Sequence, residues 1–233
     1  HTIIRERGWC EPLLIDPQHS GAYASIEEAP LDQADVCVDF TEPAQAFDTV
    51  LFALRKGMPV VSGTTGWQPQ DAVVRKAIED NNAAFLHANN FALGVYLFTL
   101  MVKHAAALLS SFPQYDIAIH ETHHRAKKDI PSGTAQMLAE EIISAHPGKE
   151  TSAVLSESGA VDNRTLTISS ARIGSVFGTH NVCADSEVDS IELTHTAKGR
   201  RGLAEGALTA AQWLVGKQGF FTLEDMIDDI TTA

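Results

Sequence analysis

Over the first third of the chain, short apolar runs that end in polar or small residues alternate with helical stretches. Leu13-Leu14-Ile15 leads into Asp16, Val36-Cys37-Val38 into Asp39, Val60-Val61 into Ser62-Gly63, and Ala84-Phe85-Leu86 into His87. Between them, Ala44–Lys56 and Gln70–Asp80 repeat apolar residues at three- and four-residue spacing, with Glu42-Pro43 and Pro69 as helix-entry signals. The pattern predicts four parallel strands joined by crossover helices. Such a doubly wound α/β domain places its ligands beyond the carboxyl ends of the strands.

After Asn90 the texture changes. Leu93–Leu109 reads as one long apolar helix, and Tyr115–His120 alternates with period two. Pro131–Ala145 reads as a helix, followed by successive strands at Leu166–Ala171, Ser175–Ala184 and Ser186–Ala197. This predicts an α+β domain with a mixed or antiparallel sheet. Gly202–Gly216 and Leu223–Ile230 resume the helical texture of the first part. The expected division is therefore 1–91 with 201–233 as a nucleotide-binding domain, and 92–200 as a second domain.

The first residues depart from that scheme. Thr2–Gly8 looks like the last turns of a helix and its glycine stop. A Rossmann-like domain normally opens with a strand and a G-x-G-x-x-G turn, whose amides hold the pyrophosphate. Both are missing here, so the first strand is expected to be absent and the sequence to be a shortened form of a longer one. Asp16 then ends the second strand of the complete fold, where an acidic residue binds ribose hydroxyls. No arginine follows closely to meet a 2′-phosphate, which tips the balance from NADPH toward NADH. The competing reading of Asp16 is an ordinary Asp16-Pro17 turn.

Charge narrows the partners. Seventeen basic against thirty acidic side chains among 233 residues leave a net charge of −13, which argues against nucleic acid or an anionic membrane as the main partner. No apolar run has spanning length and no signal-peptide order is seen, so a cytoplasmic protein is expected. Cys10, Cys37 and Cys183 lie far apart and read as buried reduced thiols.

The densest polar cluster is His120-Glu121-Thr122-His123-His124-Arg125-Ala126-Lys127-Lys128-Asp129-Ile130-Pro131-Ser132-Gly133-Thr134. It is read either as a solvated basic loop or as an anion site. In the second case histidine and lysine hold carboxylates and exchange protons, and the helix opening at Pro131–Thr134 offers free amides. His120–His124 also spells H-E-x-x-H. That zinc motif needs both histidines on one helical face, whereas the residues before it alternate like a strand. No metal site is expected.

This cluster resembles the signature E-x-H-H-R-x-K-x-D-x-P-S-G-T of the 4-hydroxy-tetrahydrodipicolinate (dihydrodipicolinate) reductase family of lysine and diaminopimelate biosynthesis. Val38-Asp39-Phe40-Thr41, Gly63-Thr64-Thr65-Gly66, Asn90-Phe91 with Gly94-Val95, and Thr194-His195 with Arg200 and Gly206-Ala207 extend the likeness. The resemblance implies an NAD(P)H-dependent reductase of a small cyclic dicarboxylate. It places the general acid at His123 with Lys127 assisting, and the substrate contacts at His124, Ser132, Gly133 and Thr134. Cofactor contacts fall at Asp16, Phe40, Gly63, Thr64, Thr65, Ala88, Asn89, Asn90 and Phe91, with Arg200 at the interdomain hinge. Thr64 and Thr65 also fit an ordinary turn after a strand. The family pattern further implies a homotetramer built on the second domain. The missing phosphate turn motivates an alternative, a truncated dicarboxylate-binding protein without reductase activity.

Other residues read as structural. His104, His146 and His180 have no partner pattern, Glu157, Glu187 and Glu192 look like solvated strand positions, and Trp213 reads as helical core.

Overall fold

The structure, a computed structural model, describes residues 2–154 and 161–232. Within them the chain runs α1 (Thr2–Glu6), β1 (Cys37–Asp39), α2 (Pro43–Arg55), β2 (Val60–Ser62), α3 (Ala72–Asp80), β3 (Ala84–His87), α4 (Leu93–Leu109) and β4 (Asp116–His123). It continues through α5 (Gly133–Ala145), β5 (Thr151–Val154), β6 (Thr165–Arg172), β7 (Thr179–Asp185), β8 (Ser190–Thr196), α6 (Arg201–Leu214), β9 (Gly219–Phe221) and α7 (Leu223–Thr232). It divides into two compact units, His1–Ala92 with Leu203–Ala233, and Leu93–Gly202.

The first unit is built on a parallel sheet in the order β1-β2-β3-β9. Pro43 opens α2 with its φ already set for a helix, and Gly57 closes the turn after it at φ +73°. The Asp71 side chain caps α3 by accepting from the Val73 amide at 2.8 Å. Val50, Leu54, Val74 and Ile78 from the two helices pack with Val60 and Phe85 of the sheet into one core. The short β9 carries no periodic signal, yet it pairs with β3 and sets Phe220 edge-on to Phe85 at 5.4 Å.

The strand expected at Leu13–Ile15 does not form a ladder. Ile15 makes a single bridge to Tyr23 of its own loop. A strand is held by a row of backbone bonds to a neighbour, and this segment finds only the Tyr23 pair: the Asp16 amide donates to the Tyr23 carbonyl and the Tyr23 amide to the Leu14 carbonyl. Trp213 is half-buried, because the buried stripe of α6 is Gly206, Ala207, Ala210, Ala211 and Leu214. Its indole nitrogen donates to Asp229 at 2.7 Å. All three cysteines are free thiols as expected, but their burial departs from expectation: Cys10 is exposed, and Cys37 and Cys183 are half-buried.

In the second unit a mixed sheet runs β5-β6-β4-β7-β8. β4 is parallel to β6 and antiparallel to β7, and β7 is antiparallel to β8. Phe98 and Val102 of α4 and Leu138 and Ile142 of α5 pack on Ile117, Ile119, Leu166, Ile168 and Val182 of the sheet. Strand β5 is an addition to the sequence-based scheme. Glu157 lies outside the described residues, Glu187 sits in the bend between β7 and β8, and Glu192 is exposed on β8. Among the described residues no helix is long and apolar enough to cross a membrane.

Candidate active site

The side-chain period of two carries the core of the second unit directly into a polar cluster. On β4, Ile117, Ile119, Glu121 and His123 share the buried face. The same face of β6 continues from Leu166 and Ile168 to Ser170 and Arg172, and that of β7 from Ala184 and Val182 to His180. Register places Glu121 beside Ser170 on one side and His180 on the other, and His123 beside Arg172. Three neighbouring strands thus deliver five polar side chains to one end of the sheet.

Glu121 has no exposed surface. Its carboxylate accepts from the Ser170 hydroxyl at 2.7 Å, from Arg172 Nη2 at 3.1 Å and from the Ser132 amide at 3.2 Å. Burial by itself raises its pKa, but bonds from the Ser132 and Ser170 hydroxyls, Arg172 and the Ser132 amide outweigh it and hold the carboxyl below its usual range. His123 Nδ1 lies 3.5 Å from Oε2, and the His123 and His180 rings meet edge to face at 5.1 Å. Burial pushes His123 below its ordinary value, against the pull of Glu121 and Asp129. Burial also depresses His180, to about 4, so this ring is neutral at physiological pH. It shares a hydrogen bond with the Ser132 hydroxyl at 3.1 Å.

Glu121, His123 and His180 bring ligand-type atoms within 4.8 Å of one another. Arg172, the Ser170 hydroxyl and the Ser132 amide already engage the carboxylate, and a cation there would compete with the guanidinium. The H-E-x-x-H reading fails on geometry, since His120 points to the opposite, exposed face and bonds Ser169 at 2.8 Å.

The loop after β4 returns to this cluster at the start of α5. The Ser132 side chain caps the helix by accepting from the Ala135 amide at 3.2 Å. Gly133 is exposed, and a Cβ there would meet nothing within 4 Å, so the helix start is open to a ligand. His124 and Thr134 are half-buried on either side of the loop. Lys127 Nζ donates to both oxygens of Asp129, at 2.8 and 2.9 Å. Lys127 first of all, aided by the Gly133 amide, holds the Asp129 carboxyl below its usual range. Arg200 is exposed.

In the first unit a second polar knot stands at the carboxyl ends of β1 and β2. Asp39, 2% exposed, accepts from the Thr41 amide and hydroxyl at 3.1 and 2.7 Å, from Ser62 at 2.6 Å and from Thr64 at 3.0 Å. Thr64 is thereby fixed rather than being a free turn residue, and its carbonyl bonds His87 Nε2 and the Trp67 indole. A Cβ at Gly63 would overlap the Phe40 ring, which lies across it and edge-on to the buried Phe91 at 5.9 Å. Thr65, Asn89 and Asn90 are exposed beside these strand ends, and Ala88 is half-buried with its amide on the Ser62 carbonyl. Asp16 is exposed and its side chain closes a turn by accepting from the Gln18 amide.

These strand ends fit the nicotinamide portion of a dinucleotide. The glycine lets the Phe40 ring lie over the strand end, the exposed Phe40 face suits a flat ring, and the neighbouring asparagines supply amide donors and acceptors. Among the described residues no glycine-rich turn offers itself to the pyrophosphate.

Arg172 and His180 belong to no motif in the sequence. The usable signal was the alternation of Leu166–Arg172 and His180–Ala184, which sets each of them on the core face of its strand.

An α/β unit with such strand ends, in one chain with an α+β unit that buries a histidine against a carboxylate, is the make-up of a two-domain pyridine-nucleotide-dependent reductase. Residues 13–91 match the family model of the dihydrodipicolinate reductase N-terminus, and residues 94–227 that of its C-terminus. The chain belongs to the dihydrodipicolinate reductase family. It is 39% identical to the 4-hydroxy-tetrahydrodipicolinate reductase of Christiangramia forsetii over 85% of this chain and 81% of the relative. With the enzyme of that name from Methanocaldococcus jannaschii the identity is 38%, over 83% and 71%. A solved structure of dipicolinate-bound dihydrodipicolinate reductase from Paenisporosarcina sp. TG-14 superposes with a TM-score of 0.67 at 25% identity, covering 86% of this chain and 77% of that one.

Proposed function

We propose that the protein catalyses the NAD(P)H-dependent reduction of 4-hydroxy-tetrahydrodipicolinate to tetrahydrodipicolinate in lysine and diaminopimelate biosynthesis. The family and the names of its relatives support the reaction. The observation that carries the site is the carboxylate of Asp129, held by Lys127 and the Gly133 amide. Gly133, assigned to the dicarboxylate substrate, and the neighbouring Lys127 bind a carboxylate here.

In this reading His124, Ser132, Gly133 and Thr134 orient the substrate through its carboxylates, and the opened start of α5 adds its free amides. The reduced nicotinamide, when bound, supplies hydride, and the 4-hydroxyl leaves as water, so that one hydride and one proton are consumed. His123 holds the proton that neutralises charge developing on the conjugated ring, and the Lys127 ammonium favours that charge electrostatically. Phe40, Gly63, Thr64, Thr65, Ala88, Asn89, Asn90 and Phe91 hold the nicotinamide end, with Arg200 as a further cofactor contact. Asp16 takes the ribose hydroxyls, so NADH is preferred over NADPH.

The purified chain is expected to oxidise NADH in the presence of enzymatically generated substrate, with a lower KM than for NADPH. Substrate-dependent oxidation of neither nucleotide would remove the proposed reaction, and a lower KM for NADPH would remove the role of Asp16.

The protein is further proposed to be a cytoplasmic homotetramer assembled through the second unit. The sheet face turned away from α4 and α5 supports this, since His120, Glu192 and Thr194 are exposed on it. Sedimentation at the mass of a single chain at working concentration would rule the tetramer out.

A further inference from the structure

We propose that Glu121 is a positioning residue that fixes His123 with Nδ1 protonated toward its carboxylate, leaving Nε2 as the nitrogen that exchanges the proton. This inference rests on the reading of His123 as proton donor, which it deepens. A fully buried carboxylate in the middle of a strand is costly, and an apolar residue of similar volume is often the more stable choice. Here the charge is retained and heavily supported, by Arg172, Ser170 and the Ser132 amide. Its second oxygen, Oε2, accepts from the Ser132 amide at 3.2 Å, stands 3.7 Å from His180 Nε2, and lies 3.5 Å from His123 Nδ1, a buried nitrogen with no hydrogen-bond partner.

The other nitrogen looks into space kept open by a missing side chain. A Cβ on Gly178 would stand 3.1 Å from His123 Nε2. The two sides of the ring thus differ: one is turned to a fixed negative charge and the other to a position that any residue but glycine would fill. Arg172 extends the arrangement, because the Nη2 that binds Glu121 also donates to the Asp129 carbonyl at 2.7 Å. With the Ser132 amide on Glu121, the loop that carries His124 and Lys127 is tied to this carboxylate near its far end.

Several charged or titratable groups face His123. Glu121 lies on its own strand, Arg172 on β6, His180 on β7 with His195 of β8 beyond it, and Lys127 and Asp129 on the following loop. Burial, Lys127 and Arg172 all disfavour the imidazolium, whereas Glu121 and Asp129 favour it. Removing the charge of Glu121 therefore lowers the pKa of His123. For a general acid, activity is lost as pH rises through that pKa, so the alkaline limb of the kcat profile moves to lower pH.

The test combines Glu121→Gln, His123→Gln and the double variant with nitrogen-15 NMR of the histidine rings. In the parent chain neutral His123 should be the Nδ1–H tautomer. Glu121→Gln should lower the His123 pKa, and lower kcat by about tenfold, with KM changed less than about threefold. In the His123→Gln background the same substitution should change kcat less than about twofold, since it acts through that ring. An Nε2–H tautomer in the parent, an unmoved His123 pKa, or an equal loss of kcat in both backgrounds would overturn the proposal. The tautomer needs only the parent chain, so it decides the matter even where Glu121→Gln does not fold. Full activity in His123→Gln alone would instead remove the proton-donor role, while the pKa measurement still reports on the Glu121–His123 pair.

Discussion

Replacing His123 with glutamine is expected to lower kcat by about a hundred- to ten-thousandfold, the range in which a positioned general acid contributes. Glutamine keeps a polar group of similar reach beside Glu121 but cannot deliver a proton. The surrounding bonds of Glu121 to Ser170, Arg172 and Ser132 do not involve the ring and should survive. The thermal midpoint should therefore stay close to that of the parent, and the affinity for pyridine-2,6-dicarboxylate should change only a few-fold, because the carboxylate contacts lie at Lys127 and the start of α5. Lys127→Ala should also lower kcat, and unlike His123→Gln it should weaken dicarboxylate binding, since its ammonium already holds a carboxylate at Asp129. Steady-state kinetics with calorimetric titration of the dicarboxylate separate the two. A His123→Gln variant within threefold of parent kcat would show that the proton comes from elsewhere.

The largest expected loss of stability comes from a residue that does no chemistry. Asp39→Ala should destabilise the protein by about 3 to 5 kcal/mol, because it strands several buried donors at once and each unsatisfied one costs roughly 1 to 3 kcal/mol. The Ser62 hydroxyl is completely buried and that of Thr64 nearly so, and both donate to Asp39 Oδ2. At about 2 to 4 °C per kcal/mol for a chain of this size, the midpoint should fall by about 10 °C. Thr64 would also be left with only its 3.2 Å bond to the Thr41 carbonyl to fix it beside Gly63, so nucleotide affinity should drop more than the folded fraction accounts for. Circular-dichroism melting and NADH fluorescence titration read the two effects. A loss below about 1 kcal/mol would mean that water or a neighbour replaces the carboxylate. Adding Ser62→Ala to Asp39→Ala should cost less than the two single changes together, since one substitution already removes the bond they share.

Local chemistry determined much of this protein. The α4 helix follows its apolar pattern from Leu93 to Leu109, and α2 starts at the proline that marks it, since both signals act within one or two turns of backbone. The motif from Glu121 to Thr134 pointed to the reductase family and to a carboxylate-holding helix start, because a strand end, a basic loop and a serine cap are all written in neighbouring residues. What lay beyond reach depends on strand pairing. Leu13–Ile15 has the composition of a strand and lacks a partner ladder, while Gly219–Phe221 has almost no pattern and becomes a strand by pairing with β3. Arg172 and His180 stand 49 and 59 residues, by their numbers, from His123 or Glu121 along the chain, and only the register of β6 and β7 on β4 brings them to the buried carboxylate. Asp39 likewise appeared as part of a motif; two of its bonds come from the neighbouring Thr41, and the two from Ser62 and Thr64 exist only because β1 and β2 end side by side. Sequence patterns encode which face of an element is apolar, whereas the partner that a buried polar group meets is decided by tertiary packing, where a lone charge would be too costly to leave unpaired.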